Sequence, residues 1–171
     1  MKAIDVSDLD VSPKHYEMRI PAEDVRLETG NVRLIDDVAF VADAARNEAG
    51  VNLKGRIGYR AEIDCIRCLK PVGYDSDIVF DIDYVAPEHF SSDKERELQG
   101  SDLGTDVLAG DRVDAEDVVR EQILLDLPEQ IYCKEDCKGL CPKCGADRNL
   151  INCNCDDTEI DPRWDALKNL K

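Results

Sequence analysis

Residues 51–65, "VNLKGRIGYRAEIDC", alternate between apolar and polar with a period of two. Val51, Leu53, Ile57, Tyr59, Ala61, Ile63 and Cys65 fall on one side, and Asn52, Lys54, Arg56, Arg60, Glu62 and Asp64 on the other. A helix would scatter these residues around its circumference, whereas a strand points successive side chains to opposite faces. After the break "CIRCLKP" the alternation resumes on even numbers: Val72, Tyr74, Ile78, Phe80, Ile82 and Tyr84 inward, with Asp75, Asp77, Asp81 and Asp83 outward. Two long strands around a short connection predict an antiparallel hairpin with one buried face. Gly55 and Gly58 are the expected points of bend or bulge.

Around that hairpin the signals are shorter. Val38, Phe40 and Ala42 predict a further strand, and "MRIPAEDVRL" another. Residues 87–112 are polar and glycine-punctuated, which predicts a mobile loop holding one short strand near Asp106–Leu108. "DAEDVVREQILLDLP" predicts a helix over 114–127, with Asp114 as N-cap, Asp117 beside the positive helix end and Pro128 as the stop. Ala115, Val118, Val119, Ile123 and Leu127 form its apolar face, broadened by the run "ILLDL". In "DPRWDALKNLK", Asp161 and Pro162 open a short terminal helix with Trp164, Leu167 and Leu170 on one side. The expected fold is α+β: an antiparallel sheet or partly closed barrel with a packed helix over 1–128, and a small cysteine-rich module with its terminal helix over 129–171.

The module carries Cys133, Cys137, Cys141, Cys144, Cys153 and Cys155. In "CPKCG", two thiols bracket a tight turn whose amides can point at the sulfurs, and Gly145 has the backbone freedom to close the chain over an ion. The pattern suits tetrahedral zinc, expected once per chain. Cys141 and Cys144 are the firm pair, and the other two ligands come from the remaining four, among which spacing does not choose. A redox pair would open a helix, which "ADRNLINCNC" does not form. Iron–sulfur ligation uses the same donors. Cys65 and Cys68, at the hairpin connection, are a tight turn carrying two thiols, a second or shared metal half-site, or the thiols of a redox-regulated factor.

The chain has 171 residues, with 22 Lys and Arg against 38 Asp and Glu, a net charge of −16. That field repels polyanions at long range. Between Lys54 and Lys70, however, Lys54, Arg56, Arg60, Arg67 and Lys70 outnumber Glu62 and Asp64, giving a local +3. This strand edge is a candidate contact for nucleic acid or a partner, against the alternative of a solvated sheet face. No apolar run is long enough to span a bilayer, and the acidic N-terminus does not read as a secretory signal. A cytoplasmic, reducing home is expected, where clustered cysteines bind metal rather than form disulfides. His15 and His89 stand in polar surroundings, and no catalytic triad, phosphate loop or HExxH pattern is present. No enzymatic activity and no small-molecule substrate are expected.

"DCIRCLKPV", the alternation to "FDIDY", "DAEDVVREQILLDLP", "CKEDCKGLCPKCGADRNLINCNC" and "DPRWDALKNL", in that order, resemble the bacterial YceD family. The resemblance runs from about Val51 to the end. Its members are called large ribosomal RNA subunit accumulation proteins. It implies a role in large-subunit biogenesis and 23S rRNA accumulation, with rRNA, a ribosomal protein or a pre-large-subunit particle as partner. A generic zinc-dependent protein-interaction module is the alternative of another class.

Overall fold

The computed structural model describes residues 2–87, 104–108 and 110–155. They divide between two compact units, one within Met1–Ile63 and Gly73–Glu129, the other formed by Asp64–Val72 and the chain from Gln130 onward. The expected terminal helix with Trp164 lies outside the described residues, as does most of the 87–112 stretch.

The first unit is built on the long alternating segments. β1 (Ala3–Asp5), a 3-10 turn (Val6–Asp8), β2 (Lys14–Ile20), β3 (Val32–Leu34), β4 (Val38–Arg46), β5 (Gly50–Asp64), β6 (Pro71–Val85), β7 (Thr105–Val107) and β8 (Arg112–Asp114) precede α1 (Ala115–Asp126). The main sheet runs β2-β4-β5-β6-β7, with β3 also paired to β5. β2, β3 and β4 join antiparallel, but β7 lies parallel to β6. The sheet is thus mixed and open, and no closed barrel forms among the described residues. β1 and β8 make a separate two-stranded sheet.

Period two decides which side chains enter the core. Val51, Leu53, Ile57, Tyr59, Ala61 and Ile63 of β5 are all buried, as are Phe80 and Tyr84 of β6. Phe40 of β4 is fully buried and stacks on Phe80 with ring centroids 5.8 Å apart. The expected bulge in β5 does not occur: its register with β4 is continuous from Ala39↔Gly58 to Arg46↔Val51. Gly55 is instead a point of close approach, since a Cβ there would lie 2.1 Å from the Val41 carbonyl oxygen.

α1 starts where the sequence predicts. The Asp114 carboxylate accepts the Glu116 amide at 2.9 Å, and Glu116 and Asp117 stand in the positively polarised first turn. Ala115, Val118, Val119 and Ile123 form its buried stripe. The run "ILLDL" does not broaden that stripe, because about 100° per residue rotates Leu124 and Leu125 away from Ile123; Leu125 is 79% exposed. At the helix end, Asp126 accepts the Tyr59 hydroxyl at 2.8 Å.

Candidate metal centre

The second unit has almost no apolar core: Cys65, Cys68 and Cys137 are its buried cluster, with Val72 and Leu140 packed against them. Its order comes from sulfur and hydrogen bonds. All eight cysteines fall into two groups, Cys65, Cys68, Cys133, Cys137 and Cys141, Cys144, Cys153, Cys155. Within each group the sulfurs lie within 4.8 Å of one another. Cys65 and Cys137 Sγ are 3.9 Å apart, and Cys68 and Cys133 Sγ 3.5 Å. A tetrahedron with metal–sulfur bonds near ~2.3 Å places its sulfurs about 3.8 Å apart. Each group can therefore hold a metal ion. Spacing alone leaves four of the six C-terminal cysteines for one site and Cys65 and Cys68 as a second or shared half-site among their readings; the structure sorts all eight into two four-sulfur groups, with Cys65 and Cys68 in the first.

One local structure is used twice. In "CIRCLK" the Leu69 amide donates to the Cys65 carbonyl at 2.9 Å, and the Cys65 amide to the Lys70 carbonyl at 2.8 Å. In "CPKCGA" the Gly145 amide donates to the Cys141 carbonyl and the Cys141 amide to the Ala146 carbonyl, both at 2.8 Å. Both turns reverse through a left-handed residue, Leu69 at φ 58° and Gly145 at φ 71°. Glycine takes that conformation freely, whereas a leucine there carries about 1–2 kcal/mol of backbone strain. Gly139, at φ 73°, makes a third special turn: its amide points at Cys137, and a Cβ would lie 2.8 Å from the Arg67 carbonyl oxygen.

The electrostatics are those of a cation site. Burial pushes the Cys65 thiol up, but amide donors from Cys133, Arg67 and Cys68 outweigh it and bring the thiol down to about 6. At Cys141 the amides of Cys144 and Lys143 prevail over burial, again giving about 6. Burial likewise opposes, without reversing, the lowering of Cys137 by the Asn149 side chain and the Gly139 amide. Crowded sulfurs cannot all lose their protons unaided. A hydrogen bond to Cys68, then burial, push Cys133 up to about 12, and hydrogen bonds to Cys144 and Cys141 do the same to Cys155. A bound cation removes that conflict, because it takes all four donors as thiolates.

The five basic residues singled out in the sequence are divided between the two units. Lys54, Arg56 and Arg60 are on β5 in the first unit, where Arg56 reaches Asp77 at 3.6 Å, Arg60 pairs with Asp36, and Lys54 stands opposite Asp43 in register. Arg67 and Lys70 belong to the second unit and support the first cysteine turn. Arg67 donates to the Cys137 carbonyl at 2.9 Å and lies 4.6 Å from the Tyr132 ring centroid. Lys70 binds Asp147 at 2.7 Å, which holds that carboxyl down at about 2. Asp147, Asn149 and Tyr132 escaped the sequence reading. The sequence signal available for Cys65 and Cys68 is the CxxC spacing they share with Cys141 and Cys144.

An open sheet with a cysteine unit of two four-sulfur groups defines a candidate metal-binding β-sheet protein. The chain belongs to the family described as large ribosomal RNA subunit accumulation protein YceD, whose family model matches residues 53–171. Uncharacterized proteins of Mycobacterium bovis and Mycobacterium tuberculosis are 28% identical over 154 residues, 90% of this chain and 69% of theirs. A chloroplast protein of Arabidopsis thaliana, named large ribosomal RNA subunit accumulation protein YCED homolog 1, is 34% identical over 59 residues, 34% of this chain and 18% of its own. No solved structure matches. Among the described residues no helix is long and apolar enough to cross a membrane.

Proposed function

We propose that the protein is a non-enzymatic, cytoplasmic factor in large ribosomal subunit biogenesis, and that its acidic sheet unit binds a basic ribosomal protein. Family membership supports the process. The distribution of charge supports the mode. The sheet unit carries 13 Lys and Arg against 29 Asp and Glu, whereas the cysteine unit carries 9 of each, so the whole net charge of −16 belongs to the sheet. An open groove of about 980 Å³ on the sheet has four aspartates in its lining, Asp36, Asp37, Asp75 and Asp77, against Arg19 and Arg60. Its floor is Ala39 opposite Gly58. A cationic segment finds complementary charge there, while an RNA backbone meets repulsion.

Both cysteine groups take zinc in this reading. Four thiolates in tetrahedral proximity are its commonest structural ligand set, and zinc brings no redox chemistry. Its part is to hold folded a unit too poor in apolar groups to fold unaided. The buried Cys65 and Cys68 are ligands here, not the accessible thiols a redox factor needs.

Depletion of the protein from cells that make it should lower large-subunit rRNA relative to small-subunit rRNA. The Asp75→Lys/Asp77→Lys variant should fail to restore the ratio and lose the basic ribosomal protein that co-purifies with the parent. Arg56→Glu/Arg60→Glu tests direct rRNA contact without touching the cysteine unit. If that variant loses RNA binding and the aspartate variant does not, rRNA is the partner.

A further inference from the structure

We propose that the two cysteine groups bind metal cooperatively, with Asn149 as the positioning residue that carries the occupancy of one group to the other. The inference rests on both groups being metal sites, as argued above.

The segment Asp147–Ile151 lies between Cys144 and Cys153, two members of the second group, so an ion bound there fixes both of its ends. Its side chains serve the first group. Asn149 Nδ2 donates to Cys137 Sγ at 3.5 Å, while its Oδ1 accepts the Lys138 amide at 3.0 Å. That bridge anchors the amide on the residue next to the sulfur it supports. Asp147 Oδ1 accepts the Asn149 backbone and side-chain nitrogens at 2.9 and 2.8 Å, setting the rotamer. The same carboxylate holds Lys70, two residues past Cys68, so it joins the residue that supports Cys137 to the turn that carries Cys65 and Cys68. The Arg148 amide closes the connection on the Gly139 carbonyl at 2.9 Å. Its guanidinium turns the other way, toward Cys141 Sγ of the second group at 3.8 Å.

Groups that hydrogen-bond a metal ligand commonly contribute 10–100-fold in affinity (about that range). With the second group empty, residues 145–152 lose the ion that fixes both of their ends, and Asn149 no longer meets Cys137 prealigned. Linkage makes the effect mutual, so an ion in the first group tightens the second by the same factor.

The test is a zinc titration of the full chain against a chromophoric chelator. Cys153→Ser/Cys155→Ser gives the first group's constant alone, and Cys65→Ser/Cys68→Ser gives the second's. The parent's overall two-ion constant should exceed the product of the two by about tenfold or more. Asn149→Ala should keep two ions but bring that ratio to near one. Arg148→Ala, which removes a donor to Cys141 of the second group and leaves the Asn149–Cys137 bond in place, should weaken binding and preserve the ratio. A parent ratio of one, or an Asn149→Ala ratio equal to the parent's, would overturn the coupling. A parent that binds fewer than two ions would instead overturn the two-site reading on which it rests.

Discussion

The two units of this chain are ordered by opposite means. In the sheet unit, alternating strands bury Phe40, Val51, Leu53 and Ile57 completely, α1 buries Ile123, and no charged residue is buried among the described residues. The cysteine unit buries four thiols, those of Cys65, Cys68, Cys137 and Cys141, and little else, balances its charges, and bends its backbone through three left-handed residues to aim amides at sulfur. Hydrophobic burial needs a long pattern and tolerates charge on its surface; a metal unit needs few residues, each placed by its neighbours.

Removing bound metal should separate the two units most sharply. Chelation should unfold the cysteine unit and spare the sheet. In hydrogen exchange, the amides of Cys65, Leu69, Cys141 and Gly145 should become unprotected while those paired between β4 and β5 remain slow. Simultaneous loss of both would show that the sheet depends on the cysteine unit.

Damage to the sheet core should show the reverse dependence. Phe40→Ala removes a fully buried ring stacked on Phe80 and should cost about 3–5 kcal/mol in denaturant unfolding, with zinc content unchanged in the fraction that remains folded. Gly55→Ala should cost about 1–3 kcal/mol by the same measurement, because its methyl meets the Val41 carbonyl and Ala42 Cα.

The smallest effect runs in the favourable direction. Leu69 is 61% exposed and left-handed, so Leu69→Gly loses little packing and relieves about 1 kcal/mol of strain. The cysteine unit should resist chelator longer, read as a slower rate of zinc release. A faster release would mean that the Leu69 side chain contributes more by contact than its conformation costs.

How much of this was legible in the sequence differs between the units for the same reason. β5 and β6 run 15 residues each, enough for period two to declare itself, and the helix announces its cap at Asp114. The strands β1, β3 and β8 have three residues apiece, too few to show any period, whereas β7, equally short, matches the strand expected near Asp106–Leu108. The Cys141–Cys144 turn was readable because its Gly145 advertises the left-handed position. The matching Cys65–Cys68 turn was not, because Leu69 fills that position, and because Cys68 finds Cys133 across 65 residues of chain. Basic residues near Cys68 suggested a nucleic-acid surface. Arg67 and Lys70 also have partners within the chain, Cys137, Tyr132 and Asp147, that only tertiary structure reveals.

The proposed function requires one metal ion in each of the two cysteine groups. Native mass spectrometry of protein purified without chelator, compared with the Cys65→Ser/Cys68→Ser variant, measures that directly. Two zinc ions per chain, falling to one in the variant, is the predicted result. One ion per chain that the variant retains would contradict it and return Cys65 and Cys68 to another role.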